Sequence, residues 1–561
     1  MKMNLCKYDK SFVDIGELDK KMTFEEKIEN LFPVKKDIPK PFLIEKPIEQ
    51  REYLINGELR FWEGPMHDIY SPVCTHTDSG LSKVHLGRVP DMSEKECMPA
   101  LDAAITAYGN GRGLWPTLPL AERIKHVEGF LRECTKKKKE VAHLLMWEIG
   151  KPYKDSEMEF DRAVEYMNDT IKAVKALDRI SSKWVYQKGI MGLIRRAPLG
   201  VVLCMGPFNY PFYETFTTLM TALIMGNTVI FKPPKHGVLL YGPLLEILRD
   251  TFPKGVVNSI YGEGEKIISP FMSSGKVDVL AFIGTTAVAS ALKKQHPQPH
   301  RLRCLLGLEA KNPAIILPDA DLDLTVRECV LGTLAFNGQR CAALKILFVH
   351  SRILKVFLEG LSNAVEQLRF GMPWEDDVFI TPLPEPHKPA YLQDLVKDAV
   401  YHGASVINEN GGAVHETFFY PAILCPVSDR MHIYHEEQFG PVIPIVPFDD
   451  IETPTQYVIN SNYGQQLSIF GTEPDKIAQL IDPLVNQVAR VNINCKCQRG
   501  PDTFPFTGRK NSAEGTLSVS DALRAFSIRT VVAARETDVN RNLIQDIVKQ
   551  GKSNFLAGDR F

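Results

Sequence analysis

Residues 201–234 read VVLCMGPFNYPFYETFTTLMTALIMGNTVIFKPP, and this stretch decides the fold class. Val201–Met205 is a short, wholly apolar run closed by Gly206-Pro207, the pattern of a buried strand ending in a turn. Residues 214–225 space their apolar side chains as a buried helix, and 228–231 form a second apolar, β-branched run. The alternation continues with a helix expected over 239–251, a strand over 257–260, a helix over 265–273 and a strand over 277–282. Short strands alternating with amphipathic stretches predict βαβ units and a parallel sheet, so the chain is α/β. Ligands of such sheets bind beyond the carboxyl ends of the strands, which singles out the loops opening at Gly206, Lys232, Gly262 and Gly284.

Upstream, 184–196 reads as two short strands around Lys188-Gly189, and helices are expected near 94–110, 119–148 and 155–178. Asn56-Gly57 marks a hairpin turn. Residues 1–50, rich in Lys, Glu and Pro, read as an extension rather than a packed domain. Downstream, a second alternating region starts at Ala314 and passes Val446, with a strand expected over 346–349 and a helix over 392–402. The polar residues 536–561 read as a tail or an added oligomer contact.

With 561 residues the chain needs more than one core. Lys plus Arg number 66 against 68 Asp plus Glu, a net charge of −2, which offers no global field to nucleic acid or an anionic membrane. The basic run Lys136–Lys139 is followed by Glu140 in a helical pattern and reads as a solvated face. The 11 cysteines include no CxxC, and the Cys495/Cys497 pair has no second pair or nearby His to complete a metal site, so no metal is expected. No apolar run reaches the roughly 18 residues of a membrane span, and the first residues carry no signal-peptide core. The expected location is the cytoplasm, with reduced thiols.

The strongest chemical signal is Asn337-Gly338-Gln339-Arg340-Cys341. Gly338 permits a close backbone approach, and a guanidinium beside a cysteine favours the thiolate. Here the sequence resembles the aldehyde dehydrogenase superfamily, whose nucleophile lies in a Gly-Gln-x-Cys segment. The resemblance covers roughly residues 52–533 and makes Cys341 the nucleophile. Asn209, just beyond a strand and held between prolines, then resembles the family's oxyanion donor, paired with the backbone N–H of Cys341.

Phe231-Lys232-Pro233-Pro234-Lys235 resembles the family's adenosine-ribose segment, with Lys232 on the ribose. Where NAD-using members carry Glu, this chain has Lys235. An ammonium there attracts a 2′-phosphate that a carboxylate would repel, so NADP is the expected cofactor and NAD the alternative. Gly264, Gly284 and Thr285 lie in segments similar to the family's cofactor loops, Thr285 heading a helix that can seat a phosphate. Glu437-Gln438-Phe439-Gly440-Pro441 matches the motif that holds the nicotinamide half, through Glu437 and Phe439.

One departure stands out. The family's Glu-Leu-Gly-Gly-Lys, whose Glu activates the deacylating water, is replaced by Gly307-Leu308-Glu309-Ala310-Lys311. The usual Glu position holds Gly307, and Glu309 is the expected substitute base.

Residues 492–506 look like a segment of the non-phosphorylating glyceraldehyde-3-phosphate dehydrogenases, whose phosphate pocket uses arginines and a tyrosine. The matching positions are Arg162, Tyr210, Arg340 and Arg499. Bidentate guanidinium donors suit a phosphate dianion.

The resemblance implies an aldehyde dehydrogenase-like fold. It has a Rossmann-type cofactor domain over 51–310, an α/β catalytic domain over 311–505, and a return over 506–535. A small β oligomerisation element combines 184–196 with a strand near 527–534. The expected reaction is NADP-dependent oxidation of D-glyceraldehyde 3-phosphate through a cysteine thioester without inorganic phosphate, by a homodimer or homotetramer. Two alternatives stay open: another small anionic aldehyde with transfer of the acyl group to coenzyme A, and a cofactor-binding protein impaired by the altered Glu loop.

Overall fold

The computed structural model describes residues 22–557. The short helix Phe24–Glu29 (α1) is closed by a capping box between Thr23 and Glu26. The segment after it packs, with Ile28, Leu31, Phe32 and Ile38 joining the main core and Phe24 set edge-on against Phe370 and Tyr420. Residues 22–50 are therefore not a free extension: Phe24 packs on Phe370 and Tyr420, Phe42 packs on His143 and Tyr153, and Ile48–Glu49 pair with Gly87–Arg88, despite the charged composition. Residues 1–21 lie outside the described residues.

The helix expected over 119–148 is two, Leu120–Thr135 and Lys138–Ile149, broken at the lysine run. Lys136, Lys137 and Lys138 each pair with an acid, on Glu133, Glu140 and Asp161, at the surface. The long helix Tyr153–Ser181 (α2) starts after Pro152 and runs beneath the site.

Strands Trp184–Gln187 (β1) and Ile190–Pro198 (β2) form a hairpin turned by Lys188 and Gly189, both at positive φ. Five parallel strands follow: Val201–Met205 (β3), Thr228–Lys232 (β4), Val257–Ser259 (β5), Val279–Ile283 (β6) and Arg303–Gly307 (β7). Their order is β5-β4-β3-β6-β7, so the winding reverses between β3 and β6. A crevice opens at such a reversal, beyond the strand ends. Helix Pro211–Ile224 (α3) leaves β3 and is buried along its whole length. Its seat on α2 is a parallel stack of Phe160 on Phe212, centroids 4.7 Å apart, with both rings fully buried. Each such ring contributes roughly 1.5–3 kcal/mol of burial. Helix Thr286–Gln295 (α4) follows β6.

Strand β7 passes through residues 308–311 straight into the second sheet. That sheet comprises Asn312–Ile316 (β8), Leu344–His350 (β9), Ser405–Val406 (β10), Ala422–Cys425 (β11), Val442–Phe448 (β12), Gln466–Phe470 (β13) and Arg490–Ile493 (β14). Its order is β10-β11-β12-β9-β8-β13-β14, with helix Leu322–Leu334 (α5) between β8 and β9. The chain then returns: Ala513–Glu514 (β15) adds antiparallel to β7, and Ser527–Arg535 (β16) pairs with β2 along its full length. The residues beyond are helical, Asp538–Lys549 (α6) and then Asn554–Ala557. Among the described residues no helix is long and apolar enough to cross a membrane, and no cluster of His, Cys, Asp or Glu could hold a metal ion.

Candidate active site

Cys341 lies in the link between α5 and β9. After α5 the backbone turns through three successive left-handed residues, Phe336 (φ 50°), Asn337 (φ 54°) and Gly338 (φ 70°). A side chain at Gly338 would press its Cβ to 2.7 Å from the carbonyls of both Gly440 and Thr333, so only glycine fits. Left-handed backbone at Phe336 and Asn337 costs of order 1 kcal/mol each. Asn337 offsets this by exchanging hydrogen bonds with Thr381, donating to its carbonyl and accepting its N–H, both at 3.0 Å. Asn312 at the start of β8 donates to the Cys341 carbonyl at 2.8 Å. Asn337 and Asn312 thus position Cys341, the candidate nucleophile, and sequence reasoning missed both roles.

Asn209 leaves β3 and is buried, with its amide Nδ2 donating to the Gln339 carbonyl at 2.8 Å. That bond docks the candidate oxyanion donor against the loop of Cys341. The Asn209 carbonyl is held in turn by Lys151 Nζ at 2.8 Å. Lys151 is fully buried, ion-paired with Glu159, and sits 3.7 Å over the Tyr210 ring. Glu159 also accepts the Phe212 and Tyr213 N–H groups at the start of α3.

Burial and the nearby Glu214 carboxylate push the Cys341 thiol above its ordinary range, while Lys345 and Arg499 pull it back in part. The guanidinium expected to favour the thiolate, Arg340, turns away. Its Nη2 donates to the Leu331 and Gly332 carbonyls at 3.0 Å, where the end of α5 leaves carbonyls without helical partners. Lys345, four residues on and fully buried, is the closer fit to that role.

The dinucleotide segments meet at the reversal between β3 and β6. Lys232 ends β4, its ammonium lowered to about 8 by burial, and its Cε would lie 3.8 Å from a Cβ at Gly264. Lys235 is exposed beside it. A Cβ at Gly284 would strike the Phe282 ring at 2.3 Å, and Thr285 caps α4. On the other wall Glu437 accepts from the Ala310 N–H at 3.2 Å and pairs with Lys345, whose Nζ lies 5.0 Å over the Phe439 ring. The preceding loop is fastened by Lys311, which donates to the Glu436 carbonyl and the Gln438 side chain. These are fitting supports for a dinucleotide: glycines where backbone must approach, a helix N-terminus, a cation for a 2′-phosphate and a carboxylate for a ribose.

Glu309 differs from expectation. Its Oε2 accepts the Thr286 N–H at 2.8 Å, in the first turn of α4, so the carboxylate serves the dinucleotide side rather than the nucleophile. The exposed N–H groups of a helix start attract it there.

Arg162 and Arg499 converge, but not on open space. Each guanidinium lies 4.6 Å from the ring centre of Tyr213. Arg162 makes a bidentate pair with Asp502 at 2.9 and 2.7 Å, and the Tyr213 hydroxyl donates to the same carboxylate at 2.6 Å. Arg499, buried, pairs with Glu214, and its Nε lies 3.6 Å from Asp502. Burial alone would raise the Asp502 carboxyl, yet hydrogen bonding and charge from Arg162 hold it below its ordinary range. Tyr210 stacks under Lys151 and lies edge-on to both Phe336 at 6.2 Å and Tyr213 at 6.5 Å, so it borders this cluster without a hydrogen bond to either arginine among the described contacts. A signal for Glu214 was present: it is the only charged residue of a helix otherwise apolar or hydroxylic.

A family model described as the aldehyde dehydrogenase family matches residues 76–532. The chain is 31% identical to the NADP-dependent glyceraldehyde-3-phosphate dehydrogenase of Streptococcus equinus, over 85% of this chain and 97% of that one. It is 28% identical to malonate-semialdehyde dehydrogenase 1 of Bacillus licheniformis, over 78% and 90%. Among solved structures it is similar to the NADP-dependent glyceraldehyde-3-phosphate dehydrogenase of Bacillus halodurans complexed with NADP. That match has a TM-score of 0.79 and 30% identity, covering 87% of this chain and all of that one.

Proposed function

Because the chain belongs to the aldehyde dehydrogenase family, we propose that it oxidises D-glyceraldehyde 3-phosphate to 3-phosphoglycerate with NADP⁺ and water, through a thioester on Cys341. The observation that carries the chemistry is the contact between the Asn209 amide and the loop of the nucleophile. Cys341 as thiolate attacks the aldehyde carbon, and the oxyanion takes the donors of Asn209 Nδ2 and the Cys341 N–H. Bound NADP⁺ supplies the hydride acceptor. Lys232, Lys235, Gly264, Gly284, Thr285, Glu437 and Phe439 would hold it. Lys345 and Arg499 favour the thiolate against the effect of burial.

Substrate choice rests on Arg162 and Arg499, both directed at Tyr213, together with the relatives whose names specify glyceraldehyde 3-phosphate. A second reading has its own support: Asp502 and Glu214 already engage the two guanidiniums, which suits an uncharged hydroxyaldehyde. Comparing NADPH formation from glyceraldehyde 3-phosphate and from glyceraldehyde, without inorganic phosphate, separates them. A kcat/KM for the phosphorylated substrate no higher than for glyceraldehyde would reject the first. The exposed Val185, Tyr186 and Ile190 on the β1–β2 hairpin and Ile528, Val531 and Val532 on β16 support a homo-oligomer formed through that sheet.

A further inference from the structure

We propose that Glu214 is the general base that hydrolyses the Cys341 thioester, reaching from α3 into the place left by the carboxylate missing at Gly307. The inference rests on the thioester reading above. Gly307 ends β7, and a Cβ added there would meet Ile283 at 3.4 Å and Leu517 Cδ1 at 3.6 Å. Packing therefore leaves room for a side chain between Ile283 and Leu517. The Leu517 carbonyl accepts from Arg499 Nη2 and from the Tyr166 hydroxyl. Arg499 in turn holds Glu214, so Leu517 links the space beside position 307 to the Arg499–Glu214 pair.

The other nearby carboxylates are engaged elsewhere. Glu309 accepts the Thr286 N–H, and Glu437 is bound by Lys345 and the Ala310 N–H. Glu214 is 6% exposed; one oxygen takes Arg499, and the other, Oε2, is out of contact with solvent and has no hydrogen-bond partner among the described residues. A buried carboxylate oxygen calls for a donor, and one water molecule supplies it. Glu214 and Asn209 lie on the same short length of chain, so the base and the oxyanion donor share one support. Among charged side chains Glu214 also acts most strongly on the Cys341 thiol.

The step needs water alone as co-reactant. The water oxygen bonds to the thioester carbon as its proton passes to Glu214 Oε2, and the oxyanion is held by Asn209. Collapse breaks the C–S bond, Cys341 leaves as thiolate, and the carboxylic acid departs. The proton on Glu214 returns to solvent.

The test is rapid-mixing of full-length Glu214→Gln with NADP⁺ and glyceraldehyde 3-phosphate. The expected result is a burst of about one NADPH per subunit, then a steady state slowed at least a hundredfold, the usual scale for loss of a general base. Acid-quenched protein should carry the acyl group on Cys341. Added hydroxylamine should discharge the acyl-enzyme, and Gly307→Glu in the Glu214→Gln background should recover part of the lost rate. Glu214→Asp keeps the charge partner of Arg499 and gives the same readout if Glu214→Gln does not fold. An unchanged steady state, or a wild-type requirement for coenzyme A, overturns the assignment. So does a missing burst in a folded Glu214 variant that binds NADP⁺. Undiminished turnover in Cys341→Ala would instead reject the thioester reading itself.

Discussion

Asp502→Asn is the sharpest test of what the arginine cluster recognises. The Asp502 carboxylate takes both arms of Arg162 and the Tyr213 hydroxyl, and lies 3.6 Å from Arg499 Nε. Asparagine keeps the shape and one acceptor but removes the charge. A phosphate dianion meeting the same guanidiniums would stand roughly 6 Å from that carboxylate. At an effective dielectric near 20, one charge against two at this distance repels by about 5 kcal/mol. The side chain of Asp502 is 13% exposed, so solvent screens part of this. We take about 1.5–3 kcal/mol, which corresponds to a roughly ten- to hundredfold change in affinity. Steady-state kinetics should therefore show KM for glyceraldehyde 3-phosphate falling about tenfold or more in Asp502→Asn. KM for glyceraldehyde should stay within about twofold, since that substrate carries no charge to repel. An equal KM change for both substrates, or a rise confined to the phosphorylated one, would refute the view that these arginines receive a phosphate.

Four further outcomes follow from the site. Asn209→Ala removes one oxyanion donor and should lower kcat by roughly 10²–10³ with little change in KM, measured by NADPH formation. Glu309→Gln should tighten NADP⁺ binding about two- to fivefold in a tryptophan-quenching titration, because a charged competitor leaves the first turn of α4. Burial holds the Cys341 thiol above its ordinary range, so the reactive thiolate gains population as pH rises, and the burst rate should climb through neutral and alkaline pH. Lys345→Met removes a cation that favours the thiolate, so the same limb should move to still higher pH; a shift toward lower pH would contradict the arrangement.

Sequence alone determined four of the five parallel strands of the first sheet, most cleanly where both faces are buried and the run is continuously apolar: the expected 201–205 is Val201–Met205 as found, whereas Arg303–Gly307, which opens on an exposed arginine, was not expected. It also marked Cys341 and Asn209 as candidates through their resemblance to family motifs, and the fold brings the Asn209 amide onto the loop of Cys341. Charge pairing left no such mark. Glu214 and Arg499 are 285 residues apart, and Arg162 and Asp502 are 340 apart. Only the tertiary fold brings α2, α3 and the segment after β14 together, and so decides that the arginines meet carboxylates, that Arg340 turns to the end of α5, and that Glu309 faces α4. A guanidinium goes to the nearest acceptor once water is excluded, and which acceptor is nearest depends on how the helices pack rather than on any spacing along the chain.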